Sequence, residues 1–128
     1  MDLYWYDQSK ETSNDGATMS EAAILKLVML EASRLGMTIF RNNTGAIKVE
    51  GRYISYGLHK GSSDLIGWTS TGKFVAIEVK APEGRPTPEQ VNFIEQVRDA
   101  GGFGCIINDE KKLEWLFNNY LKNAKQSV

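Results

Sequence analysis

Gly61 to Lys80 reads GSSDLIGWTSTGKFVAIEVK, and this stretch decides the fold. Asp64 to Trp68 and Phe74 to Lys80 have strand composition, and Thr69 to Lys73, with Gly72, is a tight turn between them. The pair reads as a β-hairpin. Its second strand is apolar on both faces until its last residues, which predicts a central position in a sheet. Successive strand side chains point to opposite faces, so Glu78 and Lys80 share a face and Val79 points away. The hairpin partner brings Asp64 beside them. Two carboxylates and one ammonium should therefore converge at one edge of the sheet.

Downstream of the hairpin, Thr87-Pro88 starts a helix with proline at its first position. Val91, Phe93, Ile94 and Val97 form its buried stripe, and Gly101-Gly102 ends it. Phe103 to Ile107 is a buried strand, and Glu110 to Lys122 a last helix. Upstream, Ile24, Leu25, Val28, Ala32 and Leu35 recur at helical spacing, which predicts a helix over 19–35 stopped by Gly36. Met37 to Arg41 is a short strand, Asn42 to Gly45 a turn, and 46–57 one or two short strands around Gly51. Gly57 to Ser63 is a loop. The order α, several β, α, β, α gives a mixed α/β domain. Residues 1–17 and 123–128 read as tails around one domain at 18–122. Trp68, Phe93 and Trp115 read as core.

The 128 residues suffice for one hydrophobic core and not for two. The single cysteine, Cys105, excludes an internal disulfide and points to a reducing, intracellular (cytoplasmic) setting. Its apolar neighbours, Phe103 to Ile107, predict a buried, inert thiol. No apolar run reaches membrane-spanning length, and Met1 to Gly16 lacks the basic start and apolar core of a signal peptide. A net charge of −1 argues against nucleic-acid binding by bulk charge alone. It does not exclude a metal site, whose carboxylates themselves lower the pI.

Carboxylate oxygens suit hard cations such as Mg²⁺ and Mn²⁺. Such an ion polarises a phosphodiester and lowers the pKa of a bound water. Lys80 would stabilise the extra negative charge on the phosphate or hold the attacking water. One cysteine and one histidine cannot build a zinc site. A lone Glu-x-Lys triplet is nearly uninformative, because strand-end charges and a salt bridge give the same pattern. The Gly-Ser-Ser-Asp on the neighbouring strand makes the catalytic reading the better one.

Further positions carry two readings each. Glu21 heads the apolar stripe of its helix, so an inward carboxylate serving the metal site is one reading. The other is a capping box, Thr18-Met-Ser-Glu21. Thr87-Pro-Glu-Gln90 is likewise a capping box by pattern, yet Gln90 follows the Glu78–Lys80 strand closely enough to reach a phosphate or bound water. His59, Lys60 and Ser62 either contact phosphate or form a solvated loop. Arg41, Asn42 and Asn43 either meet backbone phosphates or form a turn.

On these residues the chain resembles the VRR-NUC family, a branch of the PD-(D/E)XK nucleases. The matching segments are Ser20 to Ile24, Phe40 to Gly45, Gly61 to Gly67, Gly72 to Lys80, Thr87 to Gln90 and Ala100 to Gly102. Ser63 stands where the superfamily's name-giving motif has proline, which is similar to the VRR-NUC pattern. The resemblance implies a restriction-endonuclease-like core, a mixed central β-sheet flanked by α-helices. It implies Mg²⁺- or Mn²⁺-dependent cleavage of DNA, with Asp64, Glu78 and Lys80 catalytic. It also implies a stand-alone, phage-type homodimer acting on branched DNA such as four-way junctions. The aromatic tail Tyr4-Trp5-Tyr6 and the region around Tyr53, Ile54 and Tyr56 are the candidate dimer surfaces. A flap, fork or general DNA nuclease is the nearest alternative, and two other classes compete: a non-catalytic DNA-binding module on the same fold, and a non-nuclease metal-binding or protein-interaction domain with the tail as docking peptide.

Overall fold

A computed structural model describes residues 19–109 and Asn118. Its elements run α1 (Glu21–Arg34), β1 (Thr38–Arg41), β2 (Gly45–Val49), β3 (Arg52–Tyr56), β4 (Leu65–Trp68), β5 (Phe74–Val79), α2 (Pro88–Asp99) and β6 (Phe103–Ile107). The two tails and the helix expected from Glu110 to Lys122, with Trp115, fall outside the described residues, apart from helical Asn118.

The expected hairpin forms the middle of a four-stranded sheet of order β1-β4-β5-β6. The β1–β4 and β4–β5 pairs are antiparallel, with Leu65 opposite Ile77 and Ile66 opposite Ala76. β6 lies parallel to β5, with Glu78 opposite Ile106, and α2 makes the crossover that a parallel pair requires. The result is the mixed sheet flanked by helices expected of a restriction-endonuclease-like core. β5 is central because its side chains are apolar on both sides: Val75, Ala76, Ile77 and Val79 are all fully buried.

α1 buries Ile24, Val28 and Ala32, three residues at helical spacing. Its cap is Ser20, whose hydroxyl accepts from the Ala23 amide at 3.1 Å. The observed cap is thus Ser20, with Glu21 in the first turn, while Thr18 of the expected Thr18–Glu21 box lies outside the described residues. α2 is capped by Thr87 as expected, and it packs on β5 and β6 across small residues. A Cβ added to Gly104 would lie 3.0 Å from the Ile94 carbonyl oxygen, so a larger residue there would push the helix off. Gly67 is a tighter case, since a Cβ there would run into the Thr38 carbonyl. Cys105 is buried between these layers, and burial pushes its thiol up to about 12. It is inert, as expected.

Two surfaces depart from a closed core. Trp68, expected inside, is 49% exposed; its ring packs on Phe40 at a centroid distance of 5.6 Å. The register puts Trp68 and Phe40 on the sheet face that carries α2, which among the described residues packs chiefly over β5 and β6, and both rings remain half-exposed. The second surface is β2–β3, the two strands expected around Gly51. They form a separate two-stranded sheet whose every residue is exposed. Its turn, Glu50-Gly51, has positive φ at both positions (51° and 79°), the geometry that lets a two-residue turn follow strand twist. No helix among the described residues is long and apolar enough to cross a membrane.

Candidate active site

The C-terminal end of β5 and the residue before β4 form a reciprocal clasp. The Asp64 amide donates to Glu78 Oε1 at 3.0 Å, and the Val79 amide donates to Asp64 Oδ2 at 2.9 Å. Lys80 Nζ lies 3.4 Å from Glu78 Oε2. The strand continues for one more bond, from the Lys80 amide to the Ile107 carbonyl at 2.9 Å. The sequence expectation of two carboxylates and an ammonium at one sheet edge is therefore the observed geometry.

Glu78 is 2% exposed. Burial, then the charge of Asp64, push its carboxyl up to about 7, with the Lys80 ammonium working in the opposite direction. A carboxylate this desolvated, facing a second one, needs more positive charge than one lysine supplies. A divalent cation would supply that charge, as a proton does in its absence. The donor set suits Mg²⁺ or Mn²⁺, which accept one or two carboxylates and keep several waters. Asp64 and Glu78 are the residues that would hold the ion. The described residues contain no group of three His, Cys, Asp or Glu side chains able to hold a metal.

The loop before Asp64 is fixed from two sides. Asn42 Nδ2 donates to Ser62 Oγ (2.8 Å) and to the Ser63 carbonyl (2.9 Å), while the Asn42 amide donates to the Asp64 carbonyl (2.7 Å). The buried Ser63 hydroxyl donates to the Leu65 carbonyl at 2.8 Å, a local restraint at the position where related motifs carry proline. On the other side Gly61 rests on α2: a Cβ there would be 2.6 Å from Glu89 Cβ. Asn42 is thus a positioning residue that the sequence left between a turn and a phosphate contact. Its side-chain bonds span twenty residues of chain, and no local pattern encodes them.

The remaining expected residues fall into three groups. Arg41, Asn43, His59 and Lys60 are exposed around the loop, and Ser62 is half-buried with its hydroxyl taken by Asn42. Gln90 forms the full capping box: its Oε1 accepts from the Thr87 amide at 2.9 Å, and its own amide donates to Thr87 Oγ1 at 3.2 Å. The cap and the site are not exclusive, because Gln90 Nε2 has no hydrogen bond among the described residues and α2 begins against the Asp64 loop. Glu21 is the correction. It does not face inward but is exposed in the first turn of α1. It does not join Asp64 and Glu78 in a three-carboxylate group.

The VRR-NUC domain family model matches residues 30–108. The chain belongs to the VRR-NUC family. A solved structure titled "VRR_NUC domain" aligns with a TM-score of 0.57 at 21% identity, covering 80% of this chain and 99% of that one. At that identity the likeness establishes the fold alone. No curated protein matches the chain in sequence. The VRR-NUC match spans β1 to β6 and thus the whole Asp64–Glu78–Lys80 clasp, which identifies a nuclease-type domain.

The clasp makes stability depend on pH. Folded Glu78 keeps its proton up to about pH 7, whereas an unfolded chain loses it near 4.5. Unfolding between these values releases a proton, so metal-free stability should fall as pH rises through that window. Urea denaturation in EDTA from pH 4.5 to 8 should show this decline, and Glu78→Gln should remove most of it. An equal decline in the variant would assign the effect elsewhere. For Gln90→Ala, loss of the box should lower stability by about 0.5–2 kcal/mol. Cleavage per folded molecule, measured on the same preparation, should fall as well if the free Nε2 serves the site, and stay constant if Gln90 is a cap only.

Proposed function

We propose that this VRR-NUC domain is a Mg²⁺- or Mn²⁺-dependent endonuclease that hydrolyses DNA phosphodiester bonds. The observation that carries this reading is the buried Glu78 held between the Asp64 amide and the Lys80 ammonium. Asp64 and Glu78 present hard oxygen donors from adjacent strands, and Glu78 gives up its proton when a cation binds. The cation, when bound, supplies Lewis acidity and a water of lowered pKa. Lys80, mostly shielded from solvent, holds its charge where the phosphate's extra negative charge develops. Arg41, Asn43, His59 and Lys60 surround the loop as contacts to neighbouring phosphates. A pure DNA-binding module has no use for a desolvated carboxylate pair, which would repel the polymer. Cys105, reduced and buried, fits work inside a cell, where DNA is.

Within that reading the substrate is branched DNA, a four-way junction above all, cut by a homodimer. Resolving a junction takes two symmetric incisions, and a two-fold dimer carries two sites related by the junction's own symmetry. The half-exposed Phe40 and Trp68 rings are one candidate apolar surface for the second copy. The aromatic arm residues Tyr53, Ile54 and Tyr56, also exposed, are the other candidate surface.

Asp64→Ala, Glu78→Ala and Lys80→Ala should each abolish most plasmid nicking while leaving the fold intact. Metal affinity, read by calorimetry, should collapse in the carboxylate variants and persist in Lys80→Ala. Ca²⁺ should permit DNA binding with little turnover, since it accepts longer, looser coordination. Wild-type nicking in excess EDTA, or by Glu78→Ala, would sink the mechanism. For the assembly, light scattering should give the mass of a dimer, and mapping on labelled junctions should give paired incisions. A monomer cutting linear duplex as fast as junctions would refute that part and leave the nuclease standing.

A further inference from the structure

Between Arg41 and Lys60 the chain leaves the sheet, runs out along β2, turns at Glu50-Gly51 and returns along β3. The two strands pack chiefly on each other, and all ten of their residues are exposed. Apolar cores do not explain such an arm. Its charge is the informative feature. Residues 41–60 hold four basic side chains (Arg41, Lys48, Arg52, Lys60) and one acidic, Glu50, in a chain of net charge −1. The stretch from Arg41 to Lys60 thus carries a net charge of +3, against −4 for the rest of the chain taken together. Lys48 and Tyr53 are cross-strand partners, with the ammonium 5.9 Å from the ring centroid and Tyr53 75% exposed. Arg52 sits beside the turn.

Both feet end at the active site. Asn42, before β2, bonds Ser62 and Ser63 of the loop that carries Asp64. Gly57, after β3, lies against the Asn43 backbone: a Cβ there would be 2.5 Å from the Asn43 carbonyl oxygen. A five-residue strand spans roughly 16 Å, so the arm reaches about that far from the Asp64 loop. A two-stranded β-ribbon has the width that the major groove of B-form DNA admits.

We propose that the β2–β3 arm binds a duplex segment of DNA beside the cleavage site, lying in its groove. Lys48 and Arg52 meet the phosphates that flank the groove, and Tyr53 packs against the sugars or base edges. The identity of the polymer rests on the nuclease reading; the placement of the contact rests on the arm's own exposure and charge. A second copy of the chain fits the arm less well. Its ten strand residues fall short of the roughly 20–30 residues a side that a stable protein interface uses.

The test compares wild type with the double variant Lys48→Gln/Arg52→Gln in EDTA. Fluorescence anisotropy with a labelled 30-base-pair duplex and a labelled single strand is read across a salt series, and light scattering is run on the same samples. The variant should bind duplex at least tenfold more weakly. Its slope of log affinity against log salt should shrink by nearly 2, about 0.9 for each phosphate that the protein no longer neutralises. Its melting temperature and assembly mass should not change, and with Mg²⁺ its KM should rise while kcat holds. Unchanged duplex affinity and slope overturn the proposal. So does weakened binding that accompanies dissociation of the dimer, which makes the arm a protein interface. An equal weakening on the single strand overturns the groove placement. Duplex affinity that falls in the variant of a protein that cuts nothing upholds the arm and refutes the nuclease reading.

Discussion

Glu78 sits at the end of the central strand with almost no access to water, and one neighbour across the hairpin is a second carboxylate. A lone buried acid there would stay neutral or destabilise the sheet. Three features hold it: the Asp64 amide on one oxygen, the Lys80 ammonium near the other, and the Val79 amide that keeps Asp64 itself in place. Backbone amides are fixed by the β4–β5 register, so the carboxylates cannot move apart without breaking the sheet. The close approach of the two carboxyls is thereby built into the fold: Glu78 holds its proton up to about pH 7, and a small, hard cation would be the other way to offset the second charge. The surrounding devices serve the same constraint. Asn42 ties the Asp64 loop from the edge strand, Gly61 seats it on α2, and Ser63 braces it from within.

The parts of this arrangement that were legible in the sequence are those set by local rules. Period-two alternation places Glu78 and Lys80 on one face whatever the rest of the chain does. A five-residue turn between two apolar runs forces the antiparallel pairing that delivers Asp64. The Thr87–Gln90 box and the Phe103–Ile107 strand are equally local, and both formed as read. What failed depended on which element covers which. Glu21 heads an apolar stripe by spacing, but the first turn of a helix can overhang the sheet it packs on, and there the carboxylate meets water. Trp68 looks like core in a buried hairpin, yet among the described residues α2 packs chiefly over β5 and β6, and the Trp68 and Phe40 rings on β4 and β1 stay half-exposed. The role of Asn42 was ambiguous because its partners lie twenty residues away and are defined only by the folded register.

The distribution of charge gives the molecule a direction. An overall net charge of −1 suggests little affinity for a polyanion, but the basic side chains between Arg41 and Lys60 gather on the segment that leaves and rejoins the active-site loop. The carboxylates are drawn inward at the end of β5 and the cations outward on the arm. A phosphate chain guided along the arm would meet its cations before it reached the Asp64 loop, so a net charge of −1 does not bar a polyanion from the site.

The central claim is that Asp64 and Glu78 together form a divalent-cation site at the end of β5. Anomalous diffraction from crystals of the protein soaked in Mn²⁺ tests it most directly. The account predicts one strong peak within coordination distance, about 2.0–2.2 Å, of a carboxylate oxygen from each residue, and its disappearance in crystals of Glu78→Gln. A peak elsewhere that leaves both carboxylates unligated, or none at saturating Mn²⁺, would contradict it.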